Sequence, residues 1–96
     1  MAYCDAKTLD PETDLLCVDE VFPTVANEVY QILHNPKHSW YYIPEQTEKE
    51  VAIFVGYDSR TGQDLAVPHC AFDLQDASSG QPRQSIEVRA FASYVD

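Results

Sequence analysis

Ser39-Trp40-Tyr41-Tyr42-Ile43-Pro44 and, beyond a polar turn at Thr47-Glu48-Lys49-Glu50, Val51-Ala52-Ile53-Phe54-Val55-Gly56-Tyr57 decide the fold class of this chain. β-branched and aromatic side chains lose rotamer freedom in a helix and pack well on a pleated surface, so both runs predict strands. Pro44 ends the first, and Val51 to Tyr57 is the clearest strand in the sequence. The same alternation of apolar run and polar break continues downstream. Asp58-Ser59-Arg60-Thr61-Gly62-Gln63 reads as a loop, Leu65 to Phe72 as a strand, Asp73 to Gln81 as a second loop, and Gln84 to Val95 as a last strand. In that last run Ile86, Val88 and Ala90 alternate with Glu87 and Arg89, as a half-buried strand requires.

Upstream the signals are weaker. Residues 1–24 read as an irregular lead-in, with a turn or a single helical turn at Asp10-Pro11-Glu12-Thr13-Asp14 and a short strand candidate at Leu15-Leu16-Cys17-Val18. Asn27 to Leu33 fits a short helix or a strand, and Asn35-Pro36 breaks whichever forms. The expectation is one domain over residues 1–96, with strands from residue 25 onward, mainly β, little helix, and a sandwich or part of a barrel.

A formal charge of −10 argues against nucleic acid and against an anionic membrane surface as partners. No apolar stretch approaches the ~18 residues of a membrane span, and the first residues lack the basic-then-apolar pattern of a secretory signal. Three cysteines, Cys4, Cys17 and Cys70, cannot all pair and show no Cys-x-x-Cys spacing. A reducing, cytoplasmic setting is therefore expected.

Two motifs carry chemistry. His69 sits in Val67-Pro68-His69-Cys70-Ala71-Phe72, and fourteen positions later Pro82 precedes Arg83-Gln84-Ser85-Ile86-Glu87-Val88-Arg89. On a rigid strand, an imidazole can be one ligand of a facial two-histidine, one-carboxylate iron site; the alternative is a structural histidine in an apolar run. Arg83 and Ser85 stand at i and i+2, so on a strand they project together. A guanidinium fork binds a carboxylate through two parallel hydrogen bonds, and a hydroxyl adds a third. Otherwise Arg83 is a surface residue after a proline. Glu87 and Arg89 continue the same face, either as a pair that orients Arg83 from behind or as a surface ion pair. Trp40 and Tyr42 are candidates for a substrate-pocket wall, or simply for core. His34 and His38, four apart, would share one helix face, but Asn35-Pro36 between them argues against a helix and so against a two-histidine metal clip.

Those blocks carry a family resemblance. Cys4-Asp5-Ala6-Lys7-Thr8 with Asp14-Leu15, His38-Ser39-Trp40-Tyr41-Tyr42-Ile43-Pro44, Glu50-Val51-Ala52-Ile53-Phe54, Tyr57-Asp58-Ser59, Pro68-His69-Cys70-Ala71-Phe72 and Pro82 to Ala90 resemble the AsaB-type hydroxylase/desaturase family of fungal secondary metabolism. The family also takes in CmcJ-like, NvfI-like and gibberellin-desaturase-like enzymes. The resemblance implies a double-stranded β-helix, or jelly roll, that uses non-haem Fe(II) and 2-oxoglutarate to hydroxylate or desaturate a small natural product. It assigns His69 to the metal, Arg83 and Ser85 to the cosubstrate. It also implies a paired His-x-Asp, and no His-x-Asp occurs in this sequence. The chain is accordingly expected to be the C-terminal portion of such a jelly roll, truncated and incomplete as an iron site. Its open sheet edges could pair with another chain, such as a full-length paralogue, in a noncatalytic role.

Overall fold

A computed structural model describes residues 1–61, 66–74 and 83–94. Among these residues lie five strands, β1 (Ala2–Cys4), β2 (Leu15–Val21), β3 (Ala26–Ile32), β4 (Trp40–Tyr42) and β5 (His69–Cys70), and one 3-10 turn at Ala6–Thr8. The mainly β expectation holds among these residues. The strands form two sheets, a three-stranded one in the order β4-β1-β5 and the β2-β3 hairpin, and every pairing is antiparallel.

The residues read as an irregular lead-in hold much of the regular structure. β1 is the central strand of its sheet, pairing Tyr3 with Tyr41 on one side and with His69 on the other. Asp5 then caps the 3-10 turn, its Oδ1 accepting from the Lys7 amide at 3.0 Å. The ambiguous run Asn27 to Leu33 resolves as strand through Ile32, because β3 pairs with β2 from Leu15↔Ile32 to Val21↔Ala26. Its β-branched and aromatic residues gain cross-strand partners there that a short isolated helix could not offer. The Phe22 amide donates to the Val25 carbonyl at 2.8 Å and closes the hairpin.

Three sequence expectations are corrected. Val51–Tyr57 is not a strand; its only ladder-like bond joins the Val67 amide to the Val55 carbonyl at 2.9 Å among the described residues. Gln84–Tyr94, most of the expected last strand, forms no strand either. The expected strand Leu65 to Phe72 begins outside the described residues, and among residues 66–72 only His69–Cys70 is strand. The reason is common to all three. A strand exists only where a neighbour completes its hydrogen bonds, both edges of β1 are already taken by β4 and β5, and β1 itself is only three residues long. Among the described residues the buried apolar core is correspondingly small, Cys4 and Leu9 beside the buried carboxylate of Asp14. No helix among them is long and apolar enough to cross a membrane.

Candidate functional site

His69 lies on β5 opposite Tyr3, and directly opposite residues on paired strands share a face. Its ring stacks obliquely on Phe54, with centroids 4.5 Å apart, and Phe54 in turn lies 5.3 Å from Tyr3. The imidazole Nδ1 sits 3.0 Å from the Val67 carbonyl oxygen. A carbonyl only accepts, so Nδ1 carries the proton and Nε2 keeps its lone pair. This orientation by a backbone carbonyl is common to metal-binding histidines. His69 thus suits one ligand position. Among the described residues, however, no group of three His, Cys, Asp or Glu side chains is placed to hold a metal ion, so the donor set of an iron centre is not assembled by them.

Strand alternation divides the other candidates. Tyr41 pairs with Tyr3 and so shares the His69 face, whereas Trp40 and Tyr42 pair with Cys4 and Ala2 and project from the opposite one. Tyr42 packs edge-on against Phe72 at 5.1 Å, and Trp40 edge-on against the His38 ring at 6.5 Å. Cys70 also faces away from His69 by the same alternation. Arg83 and Ser85 are exposed, and no hydrogen bond or ion pair joins either to another described residue. Glu87 and Arg89 do approach each other, with Nε and Oε1 3.8 Å apart in solvent. At that distance and exposure the pair contributes little to stability.

The polar cluster with the most side-chain hydrogen bonds among the described residues is one that the sequence patterns do not assemble. Asp14 is buried, and its carboxylate accepts from the Asp10 amide at 2.9 Å, the Asn35 side-chain amide at 3.0 Å, the Thr13 hydroxyl at 3.1 Å and His38 Nε2 at 2.8 Å. The Asp10 amide, then Asn35 and His38, hold the Asp14 carboxyl well below the usual carboxylate range, outweighing the opposing effect of burial. Local turns aim these groups. The Asp14 amide donates to the Asp10 carbonyl at 2.8 Å, and Asn35 accepts the Lys37 amide on its side chain and the His38 amide on its backbone, both at 3.0 Å. The only local signals were the turn-forming Asp10-Pro11 and Asn35-Pro36 pairs. The contact itself spans 24 positions, beyond the reach of any periodicity.

Between the hairpin and the β1 sheet lies an open concavity of about 750 Å³. Leu9, Leu15, Ile32, Trp40 and Val67 supply much of its apolar wall, and all three histidines, His34, His38 and His69, border it. Trp40 therefore does line a cavity, while Tyr42 does not border this one.

Comparison with known proteins assigns the family. The family model described as oxidoreductase/YMDC permease-like domain matches residues 1–93. An alpha-ketoglutarate-dependent dioxygenase of Talaromyces stipitatus, tstK, is 33% identical over 88 residues, which are 88% of this chain and 32% of the relative. The hydroxylase/desaturase efuI of Hormonema carpetanum is 30% identical over 108 aligned positions, covering 100% of this chain and 36% of the relative. The gibberellin cluster GA4 desaturase of Gibberella fujikuroi is 34% identical over 100 residues, 96% of this chain and 29% of the relative. The chain thus spans about a third of the length of the curated relatives it matches. No solved structure gives a significant match. The proteins similar to this chain include fungal 2-oxoglutarate-dependent dioxygenases and hydroxylase/desaturases, and with the family model matching from the first residue through His69, Arg83 and Ser85, the chain belongs to the oxidoreductase/YMDC permease-like family.

Proposed function

We propose that this chain supplies part of the active site of an Fe(II)/2-oxoglutarate-dependent oxidoreductase, one that hydroxylates or desaturates a small natural product in fungal secondary metabolism. The observation that carries the reading is the His69 imidazole, tied through Nδ1 to the Val67 carbonyl at 3.0 Å with Nε2 left open. In this role His69 is a single metal ligand, and the remaining donors come from outside the described residues. Arg83 and Ser85 take the cosubstrate carboxylate, and the complete catalytic fold is a jelly roll in which residues 84–94 find the strand partner they lack here. Bound iron and 2-oxoglutarate would supply the oxidising chemistry; this chain's part is to hold and orient.

Paramagnetic Mn(II) is a convenient substitute for Fe(II) in nuclear magnetic resonance, because it broadens the signals of its ligands first. On titration, the His69 ring resonances are expected to broaden at lower Mn(II) than those of His34 or His38. Broadening of either of those first, or of all three alike, would remove His69 from the metal site. For the anchor, Arg83→Ala is expected to weaken 2-oxoglutarate binding roughly ten- to hundredfold by calorimetry, the range for charge-assisted hydrogen bonds. Arg83→Lys should recover only part of it, since lysine keeps the charge and loses the fork. Equal affinities for the original chain and Arg83→Ala would assign the cosubstrate elsewhere.

A second reading, a noncatalytic module that pairs with another chain, is favoured by the exposure of Ile86 at 95% and Val88 at 81% together with the edges of β4 and β5, which pair with no further strand among the described residues.

A further inference from the structure

We propose that the outer edge of β2 is a docking site for an extended segment of another protein, one in which lysine or arginine alternates with apolar residues. The inference stands apart from the iron reading, because it uses none of the candidate metal or cosubstrate residues.

The β2 backbone presents unpaired groups along one side. The Phe22 amide bonds to the Val25 carbonyl and the Leu33 amide to the Asp14 carbonyl, both at 2.8 Å. The register between these two bonds is unbroken, so the hydrogen-bonded pairs fall at Leu16 with Gln31, Val18 with Val29 and Glu20 with Asn27. The amides and carbonyls of Cys17, Asp19 and Val21 therefore point away from β3, and no backbone group among the described residues meets them. Protected edges are short or bulged, or carry proline or lysine. β2 has seven residues, none of them proline or lysine, and no bulge. β3 supplies Tyr30, Gln31 and Ile32 to the concavity and β2 only Leu15, so the edge from Cys17 to Val21 lies clear of it.

The side chains name the occupant. On one face Asp19 stands directly opposite Glu28, like charges whose pairing costs stability in the hairpin alone. No lysine or arginine lies between Lys7 and Lys37, and no ion pair reaches either carboxylate among the described residues. The other face carries Leu16 and the Val18–Val29 pair, continued by Phe22 and Val25 and interrupted by Glu20. Leu16, Phe22 and Val25 are about half exposed. An added strand sends alternate side chains over each face, so cations meet Asp19 and Glu28 while apolar residues meet Leu16, Val18 and Phe22. A second β2 is a poor occupant, because Asp19 and Glu20 would face side chains of their own sign. The charge of −10 on the chain also draws a basic segment in from a distance.

The test uses the full chain and three capped peptides of seven residues, the length of β2, that alternate lysine with valine, glutamate with valine, and lysine with serine. At low salt the lysine–valine peptide is expected to bind at least about tenfold more tightly than either of the others, and to slow hydrogen exchange at the Cys17, Asp19 and Val21 amides. Asp19→Lys gives the hairpin an opposite-charge pair with Glu28, so it should fold at least as well and yet bind that peptide roughly three- to tenfold more weakly. Cys17→Pro removes one outward amide and leaves the β2-β3 ladder intact, and it should weaken binding by a similar factor of roughly three to ten. No binding of the lysine–valine peptide, equal binding of either control, protection confined to other residues, or full affinity in either variant would each overturn the proposal. Protection of the three amides before any peptide is added would overturn it too. A second copy then holds the edge if that protection grows with concentration, and the chain itself if it does not.

Discussion

Replacing Asp14 with alanine is expected to lower the thermal midpoint by more than about 10 °C, a larger effect than any other single change in the described residues. The Asp14 carboxylate is the shared acceptor for the Asp10 amide, Thr13, Asn35 and His38, so its loss leaves several donors without a partner in a site closed to water. It also ties the hairpin to the β1 sheet. His38 leads into Ser39, whose amide donates to Thr8 Oγ1 at 3.0 Å and whose carbonyl accepts from the Asp5 amide at 2.8 Å. The Cys4 amide, next along, donates to the Pro68 carbonyl at 2.8 Å, one residue before His69. Asp14→Asn should rescue little, because its amide nitrogen would face donors where an acceptor is needed. A midpoint within about 2 °C of the unmodified chain would show that the cluster does not hold the two sheets together.

Acid should act through the same carboxylate. Its value in the folded chain lies below its value in the unfolded chain, so its contribution is fully present above the unfolded value of about 4. The contribution declines as pH falls below that value toward the folded one. Stability should therefore drop on acidification below about pH 4, and Asp14→Ala should flatten that part of the profile. An unchanged slope in the variant would place the acid sensitivity in other carboxylates.

How much of this was legible in the sequence depended on whether the deciding interaction was local. Trp40-Tyr41-Tyr42 and Leu15 to Val18 were readable as strands, because β-branched and aromatic residues favour a pleated surface wherever they meet a partner. Val51–Tyr57 and Gln84–Tyr94 have equally good patterns and form no strand, since pattern describes a side-chain face and says nothing of whether an edge is available. The reverse error occurred at Ala2–Cys4, whose three residues have no pattern of their own and are strand because β4 and β5 flank them. Among the candidate residues, the place of His69 on a strand was legible from the apolar run around it. The division of Trp40 from Tyr41 across the sheet needed the register, and the Asp14–His38 contact needed the fold.

The unpaired segments lead to the second large expectation, that the chain by itself associates. Its accessible surface is 8925 Å², against about 5,600 Å² for a compact monomer of its mass. Its radius of gyration is 15.8 Å, against about 12.5 Å for a compact chain of this length. Much of the excess is apolar, including Ile53, Ile86, Val88, Phe91 and Tyr94. Water around such surface favours any arrangement that removes it, and unpaired backbone in extended segments offers a ready template for another strand. Sedimentation velocity over a concentration series should therefore show self-association, with bound hydrophobic dye released as it proceeds. Ile86 and Val88 lie on one side of the alternation, and burying each stabilises a complex by about 1.5–3 kcal/mol. The double variant Ile86→Lys, Val88→Lys is thus expected to raise the dissociation constant by more than about 100-fold. A chain that sediments as a compact monomer at every concentration would mean that these segments fold back on the protein itself. Association unchanged in the double variant would instead move the contact to the outer edges of β4, β5 or the hairpin, where backbone pairing rather than apolar burial sets the affinity.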